Sequence, residues 1–201
     1  MDDAAAGRAR FHHIGNVRGG LLDAARQILQ QQGRGHLGLR AIAARTGVAA
    51  ATVYYHYRNK DALLAALAME GFSALSQAMA QADAVRGEAT GLRATGLAYL
   101  RFVQDQPALY ALMYEVRDQA RSPEVVEAEA AAFAVMRGAI GRDGVGRYPP
   151  GTADNVSATI WACGRGIAAI ALARGDEGGA QSIQQALRGL EFLITRRFTP
   201  D

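Results

Sequence analysis

Residues 39–64 read LRAIAARTGVAAATVYYHYRNKDALL. The first seven residues are a short helix. Thr46-Gly47-Val48 then forms a tight turn, AAATVYYHY a second short helix, and Arg58-Asn59-Lys60 a basic loop that opens a third. Gly47 stands where a helix-turn-helix needs positive φ at no steric cost. Ala43, four residues earlier, is small enough to let two helices cross closely. Ile42, Val48 and Val53 are the apolar residues that pin them together. The second helix then carries Thr52, Tyr54, Tyr55 and His56, side chains suited to a nucleic-acid surface. This stretch predicts a DNA-binding head, with the rest of the chain pairing and controlling it.

The bulk composition agrees. The chain has 201 residues, half hydrophobic and a fifth charged, which is a globular balance and is long enough for one large domain or two small ones. Five prolines are few, so an all-α fold is expected. A single cysteine, Cys163, excludes an internal disulfide framework. The apolar runs read as too short for a membrane span, and the N-terminus lacks the apolar core of a signal peptide. These features point to a soluble cytoplasmic protein with no membrane partner. The net charge of +3 conceals an asymmetry: through Lys60 there are nine basic residues against three acidic (+6), and beyond it 13 against 16 (−3). A basic head on a mildly acidic body is the footprint of a protein that docks one end on a polyanion. Arginine is the preferred cation, 21 of 22, which explains the identity of the charges but not their crowding.

About nine helices are expected, grouped as a flexible arm (1–16), a helix-turn-helix domain (17–62) and a larger helical ligand-binding and dimerisation domain (63–201). Leu21, Leu22, Ala25, Ile28 and Leu29 form one apolar stripe over 17–32, which Gly33 stops. GRGHLG is not a phosphate loop, because no strand precedes it and no Gly-Lys-Ser/Thr follows. A fourth helix opens near Lys60 with Asn59 as cap and fades by Ala84. Helices are further predicted over 88–106, from Pro107, from Pro123 to about Ile140, and over 152–173 and 179–197, with a breaker-rich loop at 141–151. His12 and His13 have no carboxylate or cysteine at ligand spacing, so neither a metal nor a cofactor is expected.

The residues at this point match a known pattern. Arg18-x-x-Leu21-Leu22-x-Ala24-Ala25, a glycine eight residues on, Ile42-Ala43-x-x-x-Gly47-Val48, and Thr52-Val53-Tyr54-x-His56-Tyr57-x-x-Lys60-x-x-Leu63-Leu64 together resemble the N-terminal domain of TetR-type transcriptional regulators. FVQDQPALYALMY resembles a ligand-domain segment of many members. Trp161-x-x-x-Arg165-Gly166 is similar to a Trp-x-x-x-His-Gly signature of one subgroup, with Arg in place of His. Two departures stand out. Gly38 and Ala49 occupy the helix caps where members usually carry Ser or Thr, and Ala50 and Ala51 follow where a polar base reader is common.

The resemblance implies roles for single residues. Arg40 contacts a base or phosphate, or is a solvated arginine. Thr52 faces the groove, since Val53 must turn inward. Tyr54 and His56 bond phosphates, although His56 also reads as a partly buried structural histidine. Tyr55 is either groove edge or packing, and Tyr57 is core. Lys60 sits at a helix N-terminus, where a phosphate is already favoured. Ala50 and Ala51 offer methyl groups to thymine methyls. In the body, Tyr99, Phe102, Tyr110, Met113, Tyr114, Phe133, Met136 and Trp161 are large enough to line an apolar cavity, and each is equally at home in a packed core. Arg165 binds an anionic ligand group or pairs with an acid across a dimer seam. Cys163 reads as a small buried residue.

A ligand-responsive repressor is the leading expectation: a homodimer joined through its last two helices, released from a palindromic double-stranded DNA operator by a small-molecule effector. The competing classes are a helical small-molecule binder or enzyme, and an architectural DNA protein without effector. No acid pair, nucleophile–base set or metal cluster supports an enzyme.

Overall fold

The computed structural model describes residues 17–120, 122–143 and 151–195. Among these the elements are nine, all helical: α1 (Val17–Gln32), a 3₁₀ turn (Arg34–His36), α2 (Leu39–Thr46), α3 (Ala50–His56), α4 (Lys60–Ala84), α5 (Gly91–Asp105), α6 (Pro107–Ala120), α7 (Pro123–Asp143) and α8 (Thr152–Thr195). The expected arm, with Arg8, Arg10 and the two histidines, lies outside the described residues, as does most of the 141–151 loop.

The chain packs as two compact units. The first spans Met1–Phe72 with Ala108–Glu129, and the second Ser73–Pro107 with Ala130–Asp201. The first unit therefore holds the three N-terminal helices together with the start of α4, α6 and the start of α7. In α1 the stripe Leu21, Ala24, Ala25, Ile28 and Leu29 is buried; α1 packs on α2, and α2 on α3. Leu63, Leu64, Leu67 and Phe72 of α4 are buried in the same unit. Gly71 lets α6 approach closely, for a Cβ there would stand 2.5 Å from Met113 Sδ. The ring of Tyr114 meets Phe72 edge-on at 5.3 Å and Tyr110 at 4.9 Å. Two ion pairs tie the same elements together: Arg26 of α1 to Glu70 of α4, and Arg34 of the 3₁₀ turn to Glu115 of α6.

In the second unit α5 packs on α8. Helix α5 begins three residues later than expected, because the Thr90 hydroxyl accepts the Arg93 N–H at 3.2 Å and caps it. Helix α7 runs on to Asp143, whose carboxylate accepts the Gly91 N–H and pairs with Arg86 at 2.5 Å. Arg86 also reaches Asp83 at 3.1 Å, and Asp83 takes Arg142. Helix α8 is one helical run but not a straight one. A Cβ at Gly179 would lie 2.5 Å from the carbonyl oxygen of Ala171, whereas eight residues of straight helix span about 12 Å. The backbone thus doubles back between them, and the two helices expected at 152–173 and 179–197 become two arms of one element.

Two expectations need correction. The stretches Lys60–Ala84 and Thr152–Arg174 do have the length and apolar composition of membrane spans; in α4 those apolar residues are the core ones, Leu63, Leu67, Phe72, Leu75 and Met79, all fully buried. Cys163 is exposed, not buried. The buried side of α8 is set by Ile160, Trp161, Ala168 and Ala171, and Cys163 falls away from it with Ala162 and Gly166.

Candidate nucleic-acid interface

The head is built around two fully buried branched side chains, Ile42 of α2 and Val53 of α3, each 0 % exposed. Helix α2 ends as expected: Gly47 adopts φ 71°, ψ 9°, and its N–H returns to the Ala43 carbonyl. The Thr46 hydroxyl bonds back to the Ile42 carbonyl at 2.8 Å, which satisfies it inside the core. Helix α3 is only seven residues and is held by Val53 and by Tyr57, its 2 % exposed C-terminal neighbour. The Tyr57 hydroxyl donates to the Arg18 carbonyl at 3.4 Å, and the Arg18 guanidinium stands 5.8 Å above the ring. Burial pushes the Tyr57 phenol pKa up, against a smaller pull downward from Arg18, so this side chain stays neutral and structural.

Neither Gly38 nor Ala49 makes a side-chain cap bond. Ala49 nevertheless holds φ −61°, ψ 139°, the extended geometry of an N-cap. Ala49→Ser is therefore expected to stabilise the protein by about 1 kcal/mol, read as a higher urea midpoint at unchanged slope. A midpoint that does not move would show that the α3 N-terminus is already satisfied by solvent. By contrast Asn59 does cap α4, its Oδ1 accepting the Ala62 N–H at 2.8 Å.

Around this core the DNA-directed candidates fall as follows. Arg40 is exposed on the first turn of α2, and Lys60 is exposed on the first turn of α4 beside Arg58 and the Asn59 cap. Tyr54 is 47 % exposed and Tyr55 86 %. His56 is half-buried and meets the Tyr55 ring edge-on at 5.3 Å and 81°. Ala50 and Ala51 are exposed. Thr52 does not stand foremost: it is half-buried on the flank of α3, and its N–H is taken by the Ala49 carbonyl at 2.9 Å. Val53 as sole inward anchor would turn Thr52 outward; with Tyr57 as a second inward anchor, Ala51 and Tyr55 face outward instead. Arg58 is an exposed residue beside α3 to which the residue-by-residue expectation gave no role, and Ala51 is exposed as its expected methyl contact requires. Arg45, which charge counting would include, is committed elsewhere, its guanidinium donating to Gln27 and Gln31 of α1 at 2.9 and 3.0 Å.

The candidate effector residues are divided. Tyr110, Met113 and Tyr114 lie in the first unit, where they pack α6 on α4. Tyr99, Phe102, Phe133, Trp161 and Arg165 lie in the second. There the structure brings three together: Trp161 meets Tyr99 at 5.3 Å and Phe133 at 5.5 Å, both near edge-on. Gly164 makes room for this, since a Cβ there would stand 3.3 Å from the Tyr99 ring. Arg165 is half-buried.

The profile described as "Bacterial regulatory proteins, tetR family" matches residues 21–67, and that described as "Tetracyclin repressor-like, C-terminal domain" matches residues 92–190. No curated protein matches the chain by sequence. Among solved structures, a protein of unknown function from Rhodococcus sp. RHA1 is similar at 30% identity and a TM-score of 0.70, over 90% of this chain and 98% of that one. A tetR-family bacterial regulatory protein from Rhodococcus RHA1 is similar at 24% identity and a TM-score of 0.57, over 85% and 94%. A TetR family transcription regulator from Marinobacter aquaeolei VT8 shares the fold at 19% identity and a TM-score of 0.61, over 94% and 95%. Head and body are thus both matched, in the order and at the positions the structure gives them: the chain belongs to the TetR family and is a ligand-responsive, DNA-binding transcriptional regulator.

Proposed function

We propose that this regulator is a repressor that binds a palindromic operator as a homodimer and is released by a small apolar effector. One observation supports the DNA contact above all: α3 exposes Ala51, Tyr54 and Tyr55, and the cations Arg40, Arg58 and Lys60 are exposed on the segments that directly precede and follow it. In this reading Arg40 reads a base or an adjacent phosphate, and Lys60, Tyr54 and His56 position the head on the backbone. Pairing of two chains through the arms of α8 would set half-sites roughly 34–36 Å, or a multiple, apart. Tyr99, Phe133 and Trp161, with Phe102 and Arg165 on the same helices, are the residues we assign to the effector. The effector acts only by its unequal affinity for two arrangements of the dimer.

Salt-dependent binding to a palindromic fragment tests the first part. Lys60→Ala should weaken binding to every sequence and flatten the logarithmic salt slope by about one unit; an unchanged slope removes Lys60 from the phosphate contacts. Trp161 is the single tryptophan of the chain, so an effector that enters among these rings should alter its fluorescence at the concentration that dissociates the DNA complex. Release of DNA without any change at Trp161 would place the effector elsewhere.

A further inference from the structure

Helix α3 presents an outward ridge whose hydrogen-bonding capacity is a single phenol hydroxyl. Its inward direction is set by Val53 and Tyr57, one turn apart and both buried. At 3.6 residues per turn the opposite side belongs to Ala51 and Tyr55. Both are exposed, with Ala50 and Tyr54 on one flank and the half-buried Thr52 and His56 on the other. The ridge is therefore one alanine methyl group and a phenol ring, with the Ala50 methyl group on its flank. That ring is 86 % exposed, an unusual position for so large an aromatic, and the edge-on contact with His56 restrains it.

A ridge whose one polar group is the Tyr55 hydroxyl can distinguish few features of a base pair by hydrogen bonding. In the major groove A, G and C present only donors and acceptors, whereas thymine alone adds an apolar group, its C5-methyl. A methyl group buried against an alanine or against a tyrosine ring gains the transfer free energy of one CH₃ from water. Arg40, Arg58 and Lys60, exposed on the segments before and after α3, supply charge attraction to DNA but carry no thymine preference themselves.

We propose that α3 selects operator half-sites by thymine methyls, taken up by Ala51 and Tyr55 and supported by Ala50. Hydrogen-bonded base readout is left to Arg40 on α2. The inference rests on the reading that this head binds DNA, and it names the base chemistry that the head prefers.

The test uses the full-length protein. Sites are first selected from a randomised duplex library, and each thymine of the selected half-site is then replaced by uracil, which removes only the C5-methyl. One or more positions should lose about threefold to tenfold in affinity. Ala51→Ser and Tyr55→Ala should each abolish the penalty at one position, and Tyr55→Phe should retain it. The proposal is overturned if no uracil substitution weakens binding, if the penalties survive in both variants, or if Tyr55→Phe erases them, since the phenol hydroxyl would then be the reader. If the library yields no bound sequence, the DNA-binding reading itself fails, and that result is distinct from binding without methyl sensitivity. Circular dichroism of each variant shows whether the helical fold is intact; Ala51 and Tyr55 are exposed, so their substitution leaves the core untouched.

Discussion

Ile42→Ala is expected to destabilise the protein by about 2–5 kcal/mol and to abolish operator binding well below the temperature at which the native protein loses it. The side chain is wholly buried, and removing its outer atoms forfeits both their transfer free energy and the contacts of the cavity left behind. The head has little reserve against such a loss. Helix α3 has seven residues, no side-chain cap and few anchors, Val53 and Tyr57 above all. Urea denaturation followed by circular dichroism measures the loss. A ΔΔG below about 1 kcal/mol would mean that α1 and α3 collapse onto the vacancy, and the claim that this core is closely packed would fall.

Gly91→Val is expected to have a comparable effect in the second unit, costing about 1–3 kcal/mol through overpacking. Gly91 opens α5 directly against α7: a Cβ there would lie 2.7 Å from the Ala139 carbonyl oxygen and 2.8 Å from its Cβ. Backbone of a packed helix cannot step aside as a side-chain tip does. The clash also disturbs the Gly91 N–H, which donates to Asp143, and through it the Arg86 pair that closes the 85–90 connection. Gly96→Ala is the control on the same helix. Nothing lies within 4 Å of a Cβ at Gly96, so this variant should be neutral or more stable by up to about 1 kcal/mol. Equal thermal midpoints for the two variants would refute the close approach of α5 and α7.

The all-α fold and the helix-turn-helix were legible because they rest on local chemistry. The stripe from Leu21 to Leu29, the left-handed Gly47 and the Asn59 cap each act within a few residues of themselves. The outward face of α3 was only half legible. In a two-turn helix the orientation depends on every inward anchor, and Tyr57, just past the helix end, shifts the outward side from Thr52 to Ala51 and Tyr55. The reversal in α8 leaves a trace in the Gly175-Asp176-Glu177-Gly178-Gly179 stretch, but glycines also stand at 164, 166 and 189 of the same run, and the meaning of Gly179 depends on Ala171 lying opposite. Least legible were Arg26–Glu70, Arg34–Glu115 and the Asp83–Arg86–Arg142–Asp143 cluster. They join residues far apart in the chain, and no periodicity marks an arginine that has an acid waiting on another helix. For the same reason the effector residues, chosen by size, divided between two units once the chain was folded.

The first compact unit has a practical consequence for engineering. A chimera that grafts residues 17–62 onto a foreign body would look like a clean exchange of reading heads. It would strand Arg26 and Arg34 without Glu70 and Glu115, and it would sever the head from the buried Leu63, Leu64, Leu67 and Phe72 of the same unit. The transplantable cassette is discontinuous: it must carry the first half of α4 and also α6, so specificity in this protein travels with a segment that lies more than forty residues beyond the last DNA-facing side chain.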